Sequence, residues 1–168
     1  MKEIDVNSIS TKELYQYLTS SITPRPIALV STVDKEGNSN LSPFSFFNVF
    51  SIKPPILIFS PVNRVRDNTR KDTLNNITQV KECVIALVNQ NIAQQVSLAS
   101  SGYSADEDEF KKAGFSKIKA TCIQPYLIKE SPVNFECRVN TITELGDHGG
   151  SGNLIICEVL KIHINENI

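Results

Sequence analysis

The sequence predicts a mostly β fold, an antiparallel β-barrel with helices confined to its connections and ends. Residues 23–48 and 133–164 each show two β-type segments reversed by a turn that contains glycine, a pattern typical of hairpins. Two further apolar segments, 56–59 and 83–89, have the length and composition of strands. Because no strand alternates with a long helix, a parallel sheet is not predicted.

The first third of the chain gives a helix, a hairpin and a further strand. Ser10 and Glu13 match the capping-box pattern at the start of a short helix that ends before Pro24. The elements that follow are a strand at 27–33, a turn at 34–38 with Gly37, a return segment at 40–47, and a strand at 56–59 introduced by Pro54 and Pro55.

A basic segment, residues 63–71, leads into the next helix. Asp72 is expected to cap this helix, with Thr73 as its first residue. Cations that precede a helix N-terminus favour an anion, because side-chain charge, free backbone N–H groups and the helix dipole act together. The segment therefore indicates a phosphate site, and a solvated basic loop is the alternative. Its cations are Arg64, Arg66, Arg70 and Lys71.

The second half of the chain gives two short helices and the second hairpin. A helix is predicted at 92–99, and a second one begins with the acids at 106–109. The hairpin strands are predicted at 133–145 and 153–164. The glycine-rich loop between them contains His148, for which we expect either a solvent-exposed position or a contact with substrate.

Composition predicts a single domain over residues 1–168 and excludes several classes of partner. A net charge of -1 and a pI of about 6.1 leave no basic surface for nucleic acid. No apolar run approaches the roughly 20 residues that cross a membrane. The N-terminal segment has no apolar stretch typical of a secretory signal, so a cytoplasmic location is expected.

Metal binding is not expected from the cysteine and histidine content. The four cysteines show no C-x-x-C spacing, and their apolar neighbours predict buried, reduced thiols. Two histidines, His148 and His163, are too few for a histidine-rich metal site.

The first hairpin combines phenyl rings with hydroxyl and amide groups, and this mixture suits a planar ligand with polar edges, such as a flavin. The alternative is that its phenylalanines form the core. Since neighbouring residues of a strand point to opposite faces, Phe44, Phe46 and Phe47 cannot all face a ligand, and at least one is expected in the core. Neither a Rossmann nor a P-loop glycine motif is present.

Five motifs in this order resemble the flavin reductase-like FMN-binding proteins of split-barrel fold, a family that includes NAD(P)H:flavin oxidoreductases and flavoredoxin. The resemblance covers almost the whole chain and implies a six-stranded Greek-key barrel. It also implies a homodimer with FMN in a groove at the subunit interface. The motifs are PRPIALVST, the turn with Gly37, NLSPFSFFN, the strand entry at Pro54 and Pro55, and RKDTLNNI.

The same resemblance implies the cofactor-binding residues. The isoalloxazine and ribityl groups would be lined by Val30, Ser31, Thr32, Ser45, Phe46, Phe47 and Asn48. Arg70, Lys71, Asp72 and Thr73 would lie near the FMN phosphate, and Arg25 would also reach the cofactor.

The resemblance further implies an NAD(P)H-dependent flavin reductase. Hydride would pass from NADH or NADPH to flavin N5, so no catalytic side chain is required. FMN would be either tightly bound or exchanged as a substrate, and free flavin, a partner oxygenase or another acceptor would take the electrons. The alternatives are a flavoredoxin-like electron carrier and a barrel interaction protein without cofactor. Longer family members continue past the last strand, so a C-terminal tail that helps to close the site is expected to be missing after Ile168.

Overall fold

The structure is a computed structural model that describes residues 1–103 and 107–166. Most of its regular structure is β, as predicted. The strands are β1 (Ala28–Val33), β2 (Ser39–Phe44), β3 (Phe47–Ser51), β4 (Ile56–Phe59), β5 (Glu82–Leu87), β6 (Lys117–Ile118), β7 (Leu127–Ile128), β8 (Val133–Glu144) and β9 (Asn153–Ile164). The α-helices are α1 (Thr11–Ser21), α2 (Asp72–Val80), α3 (Ala93–Ala99) and α4 (Glu109–Ala113).

Seven strands form one antiparallel sheet in the order β2-β1-β5-β8-β9-β4-β3, and β6 pairs with β7 separately. The family resemblance implied six barrel strands. The extra strand arises because the return segment of the first hairpin changes partner, as β2 pairs with β1 and β3 pairs with β4. Only Ser45 and Phe46 separate these two edge strands, so the edges of the sheet lie side by side and the sheet closes into a split barrel.

The core lies on both faces of this sheet. Val30 of β1 packs inside the barrel, whereas its neighbour Leu29 packs outside among residues of α3 and α4. Phe44 is buried in the barrel core and Phe47 packs against it, while Phe46 is exposed. The expectation that at least one of the three phenylalanines is core is confirmed.

The prediction of buried thiols is right for Cys83, Cys137 and Cys157 but wrong for Cys122, which is exposed. Cys122 lies in the loop between β6 and β7, so its apolar sequence neighbour does not place it in a core strand. Its thiol donates a hydrogen bond to Oε2 of Glu136 over 2.8 Å. This bond to a carboxylate, followed by burial, raises the pKa of the Cys122 thiol.

Glu136 is a fully buried carboxylate on β8 that anchors this loop. It accepts hydrogen bonds from the N–H of Thr121 over 2.9 Å and from the N–H of Cys122 over 2.8 Å. Nε2 of His163 lies 2.6 Å from Oε1 of Glu136. Burial alone would raise the pKa of Glu136, but the hydrogen bonds from Cys122 and Thr121 outweigh it and hold the pKa well below its usual range.

The start of α1 is as predicted, and the other helices begin at different residues. α3 begins at Ala93 and not at 92, and α4 begins at Glu109 with Asp108 as its N-cap, so Asp108 precedes the first turn that was predicted to contain it. At α1 the capping box is present, since Ser10 Oγ accepts from the N–H of Glu13 and the Glu13 carboxylate accepts from the N–H of Ser10. α2 begins at Asp72 and not at Thr73, with Lys71 in the N-cap position. Part of the predicted acidic turn before α4, Asp106, lies outside the described residues. Among the described helices, none has the length and apolar character needed to span a membrane.

The loop between β8 and β9 holds the basic segment in place. Asn68 Nδ2 donates to the carbonyl of Asp147 over 2.6 Å, and the N–H of Gly150 donates to the carbonyl of Asn63 over 3.0 Å. A Cβ at Gly149 would lie 2.8 Å from the carbonyl oxygen of Val65, so this approach requires glycine. The second hairpin therefore positions the segment that leads into α2.

Candidate functional site

A groove follows the junction between β2 and β3, where the two edges of the sheet meet. At its centre is a cavity of about 110 Å³, which contains Ser45, Phe46, Ser60 and Lys71 in its lining. On one side it continues into an apolar cavity of about 490 Å³ between α1 and the barrel, and the two share Tyr15, Phe46 and Val62. On the other side a cavity of about 340 Å³ extends from Ser45 towards α3.

The floor of this groove offers flat apolar surface beside free backbone groups. The ring of Phe46 is exposed and lies 6.5 Å from the ring of Tyr15 on α1, centre to centre. Ser45 and Phe46 fall between the two strands. The carbonyl of Phe46 accepts from the N–H of Ser60 over 2.8 Å, whereas neither residue is part of the paired register of β2 or β3. Their backbone N–H groups are therefore available to a bound molecule, as the polar edge of a planar ligand requires.

The N-terminus of α2 opens beside the same groove and has the features of an anion site. Lys71 occupies the N-cap position but makes no capping hydrogen bond, so the first N–H groups of the helix have no side-chain acceptor there. Its ammonium lies 5.0 Å from the centre of the Phe44 ring, and among the described residues it forms no ion pair. Burial, and then the positive charge of Arg64, lowers the pKa of Lys71.

The arginines of the basic segment are engaged with other parts of the chain. Arg64 donates to the carbonyl of Arg70 over 2.7 Å and lies 3.5 Å from the carboxylate of Asp72. Arg70 pairs with Glu144 of β8 over 2.5 Å. Arg66 pairs with its neighbour Asp67 and is almost fully exposed. Lys71 is therefore the cation of this run that faces the groove.

A buried polar cluster supports the start of α2 from below. Thr32 of β1, Asn40 of β2, and Thr73 and Asn76 of α2 are all buried, with exposed fractions between 0% and 8%. Asn76 Nδ2 donates to Oγ1 of Thr32 over 3.2 Å, and the Asn40 amide lies 2.9 Å from Oγ1 of Thr73. These contacts fix the first turn of α2 against the first hairpin.

The structure brings only part of the predicted site to the groove. Ser45, Phe46 and Lys71 line the central cavity, and Asp72 and Thr73 form the adjoining helix start. Asn48 is exposed on β3, next to Phe47. Arg70 does not line the central cavity and pairs with Glu144.

The predicted residues of β1, together with Arg25, are not among those that line the three cavities of the groove. Val30 faces the barrel core, and Ser31 is fully buried with its hydroxyl unpaired. Thr32 belongs to the buried cluster, where its Oγ1 accepts from Asn76 of α2. Arg25 donates from its guanidinium to the carbonyls of Thr19 and Ile22, so it holds the end of α1.

Several residues of the groove were not found from the sequence. Tyr15, Ser60 and Val62 line it, yet they lie in segments that are far apart in the chain and carry no motif. Asn40 and Asn76 did offer a signal, because an amide in an otherwise apolar strand or helix face is usually buried only with a partner. Among the described residues, no group of three or more histidine, cysteine or acidic side chains can hold a metal ion.

Comparison with known proteins supplies the family. The sequence profile named Flavin reductase like domain matches residues 20–168, which is most of the chain. The chain belongs to this flavin reductase-like family. Members of the flavin reductase-like family are flavin-linked oxidoreductases with a split barrel, which agrees with the fold described above.

Individual relatives match along almost the full length of the chain. A protein of Aquifex aeolicus (strain VF5), named only as uncharacterized, is 34% identical over 167 residues, covering 99% of this chain and 85% of the relative. The crystal structure of nitrilotriacetate monooxygenase component B from Bacillus cereus is 29% identical, with a TM-score of 0.93, covering 99% of this chain and 83% of that one. The 2-nitrobenzoate 2-nitroreductase of Pseudomonas fluorescens is 26% identical, with a TM-score of 0.87, covering 99% and 78%.

The donor set of the groove fits a flavin mononucleotide. The exposed Phe46 ring offers a face for an aromatic ring system. The N–H groups of Ser45 and Phe46, which pair with no neighbouring strand, suit the polar edge of such a ring system. The uncapped start of α2 with the half-buried Lys71 suits a phosphate. These two features adjoin, since Lys71 lines the same cavity as Phe46.

Proposed function

We propose that this protein is an FMN-binding, NAD(P)H-dependent flavin reductase. The observation that carries the proposal is the position of Lys71, which joins the uncapped N-terminus of α2 to the cavity lined by Ser45 and Phe46. An anion site and a flat apolar surface within one groove are what a phosphorylated flavin requires. Family membership supports the same class of ligand.

In the proposed complex the phosphate lies at α2 and the ring lies along residues 44–48. Lys71, Asp72 and Thr73 would hold the phosphate through the ammonium and the first backbone N–H groups of the helix. Ser45, Phe46, Phe47 and Asn48 would contact the ring and the ribityl chain. The buried positions of Val30, Ser31 and Thr32 support a role in holding the first hairpin beside the groove. Arg25 would act on the site through α1, and Arg70 through its pair with Glu144.

The protein residues bind and orient, whereas bound FMN supplies the hydride chemistry. Within the segment 42–48, the backbone N–H groups of Ser45 and Phe46 would donate to the polar edge of the ring and stabilise the negative charge that develops there. Phe46 and Tyr15 would exclude water from one face of the ring and leave the other face to a reduced nicotinamide. No acid or base from this chain is needed for the transfer.

We also propose that the protein is a homodimer, with the groove at the subunit interface. Edge strand β3 and the turn that follows it carry three strongly exposed apolar side chains, and none of the residues of α1 is buried. Strongly exposed apolar side chains at a sheet edge are typical of an interface. The exposed residues are Val49, Phe50 and Ile52, with exposed fractions of 53%, 64% and 84%.

The identity of the electron acceptor is supported by the relatives. The Bacillus cereus protein is named as a component of a monooxygenase, which supports a partner oxygenase as the acceptor of reduced flavin. The Pseudomonas fluorescens protein is named as a nitroreductase, so a small aromatic acceptor is the second candidate.

One experiment separates the proposed reductase from the other two functions. The purified protein is titrated with FMN, with quenching of flavin fluorescence as the signal, and then mixed with NADH or NADPH in the absence of oxygen. Bound flavin that is bleached by either nicotinamide supports the reductase. Bound flavin that only dithionite bleaches indicates an electron carrier, and the absence of binding indicates a barrel protein without this cofactor.

A further inference from the structure

Glu109, the first residue of α4, reaches from the surface of the protein to the buried polar cluster beside α2. The N–H of Leu41 donates to its Oε2 over 3.3 Å. The Asn40 amide is assigned with its nitrogen 3.2 Å from Glu109 Oε1 and its oxygen 2.9 Å from Thr73 Oγ1, because the reverse orientation sets an oxygen against the carboxylate. A hydrogen-bonded chain thus links Glu109 through Asn40 to the second residue of α2.

This hydrogen-bonded chain has two possible states, which differ in the direction of the hydroxyl hydrogen of Thr73. With Glu109 ionised, the amide nitrogen of Asn40 donates to the carboxylate and the Thr73 hydroxyl donates its single hydrogen to the amide oxygen. With Glu109 protonated, its O–H donates to the amide oxygen after a half-turn of the amide. The amide nitrogen then donates to Thr73 Oγ1, so the hydroxyl hydrogen of Thr73 becomes available to an anion at the start of α2.

Burial and the nearby negative charges both favour the protonated form of Glu109. Burial raises the pKa of the Glu109 carboxyl, and the negative charges of Asp72 and Asp108 add to this effect, while the N–H groups of Glu109 and Leu41 oppose it. Asp72 faces it from α2 and Asp108 from the start of its own helix, whereas β2 contributes only uncharged donors. A bound phosphate would place further negative charge near Asp72 and favour the protonated carboxyl.

We infer that Glu109 is a positioning residue that couples anion binding at the N-terminus of α2 to the uptake of a proton from solvent. The inference rests on the proposed function, in which the anion is the phosphate of FMN. Because coupling is reciprocal, acidic solution strengthens FMN binding through Glu109 by the same factor by which FMN favours its protonation. A rise of one pKa unit on binding corresponds to about tenfold in the dissociation constant of FMN.

Calorimetry of flavin binding tests this coupling. FMN and riboflavin are titrated into the protein in buffers of different ionisation enthalpy, across the acidic range in which a carboxyl with a raised pKa titrates. The wild type is expected to take up more protons per FMN than Glu109→Gln, whereas riboflavin, which has no phosphate, shows no difference between them. Protonation of the FMN phosphate itself is common to both proteins and cancels in this comparison. Glu36→Gln, which changes an exposed carboxylate in the β1–β2 turn, is the control and should match the wild type.

The outcomes separate this inference from the function on which it rests. Equal proton uptake by the wild type and Glu109→Gln, with FMN bound by both, overturns the coupling and leaves the reductase proposal standing. Failure of the wild type to bind FMN overturns both. If Glu109→Gln does not fold, ¹³C NMR of the wild-type glutamate carboxyls replaces it. One glutamate with a raised pKa should then shift further upward with FMN but not with riboflavin, and no such shift would overturn the coupling.

Discussion

Replacement of Lys71 by methionine is expected to weaken FMN binding far more than riboflavin binding. Methionine keeps the length and apolar contact of the side chain but removes the charge. Lys71 is half-buried, lies 5.0 Å from the Phe44 ring centre and has no ion pair among the described residues, so its charge is free to act on a phosphate. A hydrogen bond to a charged group contributes about 1.5–3 kcal/mol, which corresponds to about tenfold to 150-fold in the dissociation constant.

The neighbouring Arg66 provides the matched control. It belongs to the same basic segment, but its side chain is 87% exposed and it is paired with Asp67. An exposed charge of this kind contributes about 0–1 kcal/mol, so Arg66→Met should change FMN binding by less than about fivefold. Lys71→Met should change riboflavin binding no more than the loss of its contact with Phe44 allows, also about fivefold at most.

Fluorescence titrations of both flavins with the wild type and the two variants give the four ratios needed. Melting temperatures of the variants show whether the fold is intact. Equal losses of FMN and riboflavin affinity in Lys71→Met, or a loss in Arg66→Met as large as that in Lys71→Met, would refute the assignment of the phosphate to the start of α2.

Three further changes test other parts of the structure. Gly149→Ala places a Cβ 2.8 Å from the Val65 carbonyl, so it should lower the free energy of unfolding by about 1–3 kcal/mol and weaken FMN binding. In the control Gly102→Ala, the new Cβ meets nothing within 4 Å, so melting and binding assays should show stability and FMN affinity unchanged. Glu136→Gln should flatten the acid limb of the pH–stability curve. The reason is that a carboxyl with a depressed pKa stabilises the fold above its unfolded pKa, and this stabilisation is lost as pH falls. An acid limb that stays the same would contradict a stabilising role for the Glu136 carboxylate. Ile52→Lys should shift the mass measured by light scattering from dimer to monomer, and a dimer that persists would exclude the turn after β3 from the interface.

Local sequence signals predicted the parts of the fold that short-range physics decides. The capping box of Ser10 and Glu13 is read from four residues and depends on nothing distant. The alternation of the phenylalanines predicted that at least one of them is core without knowledge of any partner, and the structure buries Phe44. The strands and the second hairpin follow from residue type and from glycine turns in the same way.

Features that depend on contacts between distant segments could not be predicted from the sequence. The split of the return segment into β2 and β3 reflects a change of partner strand, which Ser45 and Phe46 do not encode locally. Cys122 is exposed because its loop is held by Glu136, fourteen residues further along the chain. The bond from Leu41 to Glu109 spans 68 residues and joins two segments with no shared pattern.

The candidate site shows the same division. The basic segment and a helix that begins next to it were visible as a local pattern, although the helix begins at Asp72 and not at Thr73, with Lys71 as its N-cap. Only the fold shows that Lys71, and not the paired Arg70, faces the groove. The side chains of Tyr15 and Ser60 complete the cavity from segments that the closure of the barrel brings together.

The crystal structure of the protein in complex with FMN tests the central claim most directly. The account predicts the phosphate within hydrogen-bond distance of the Lys71 ammonium and the N–H of Thr73, with the ring against Ser45 and Phe46. A phosphate bound elsewhere, or a flavin ring outside the groove between β2 and β3, would contradict it.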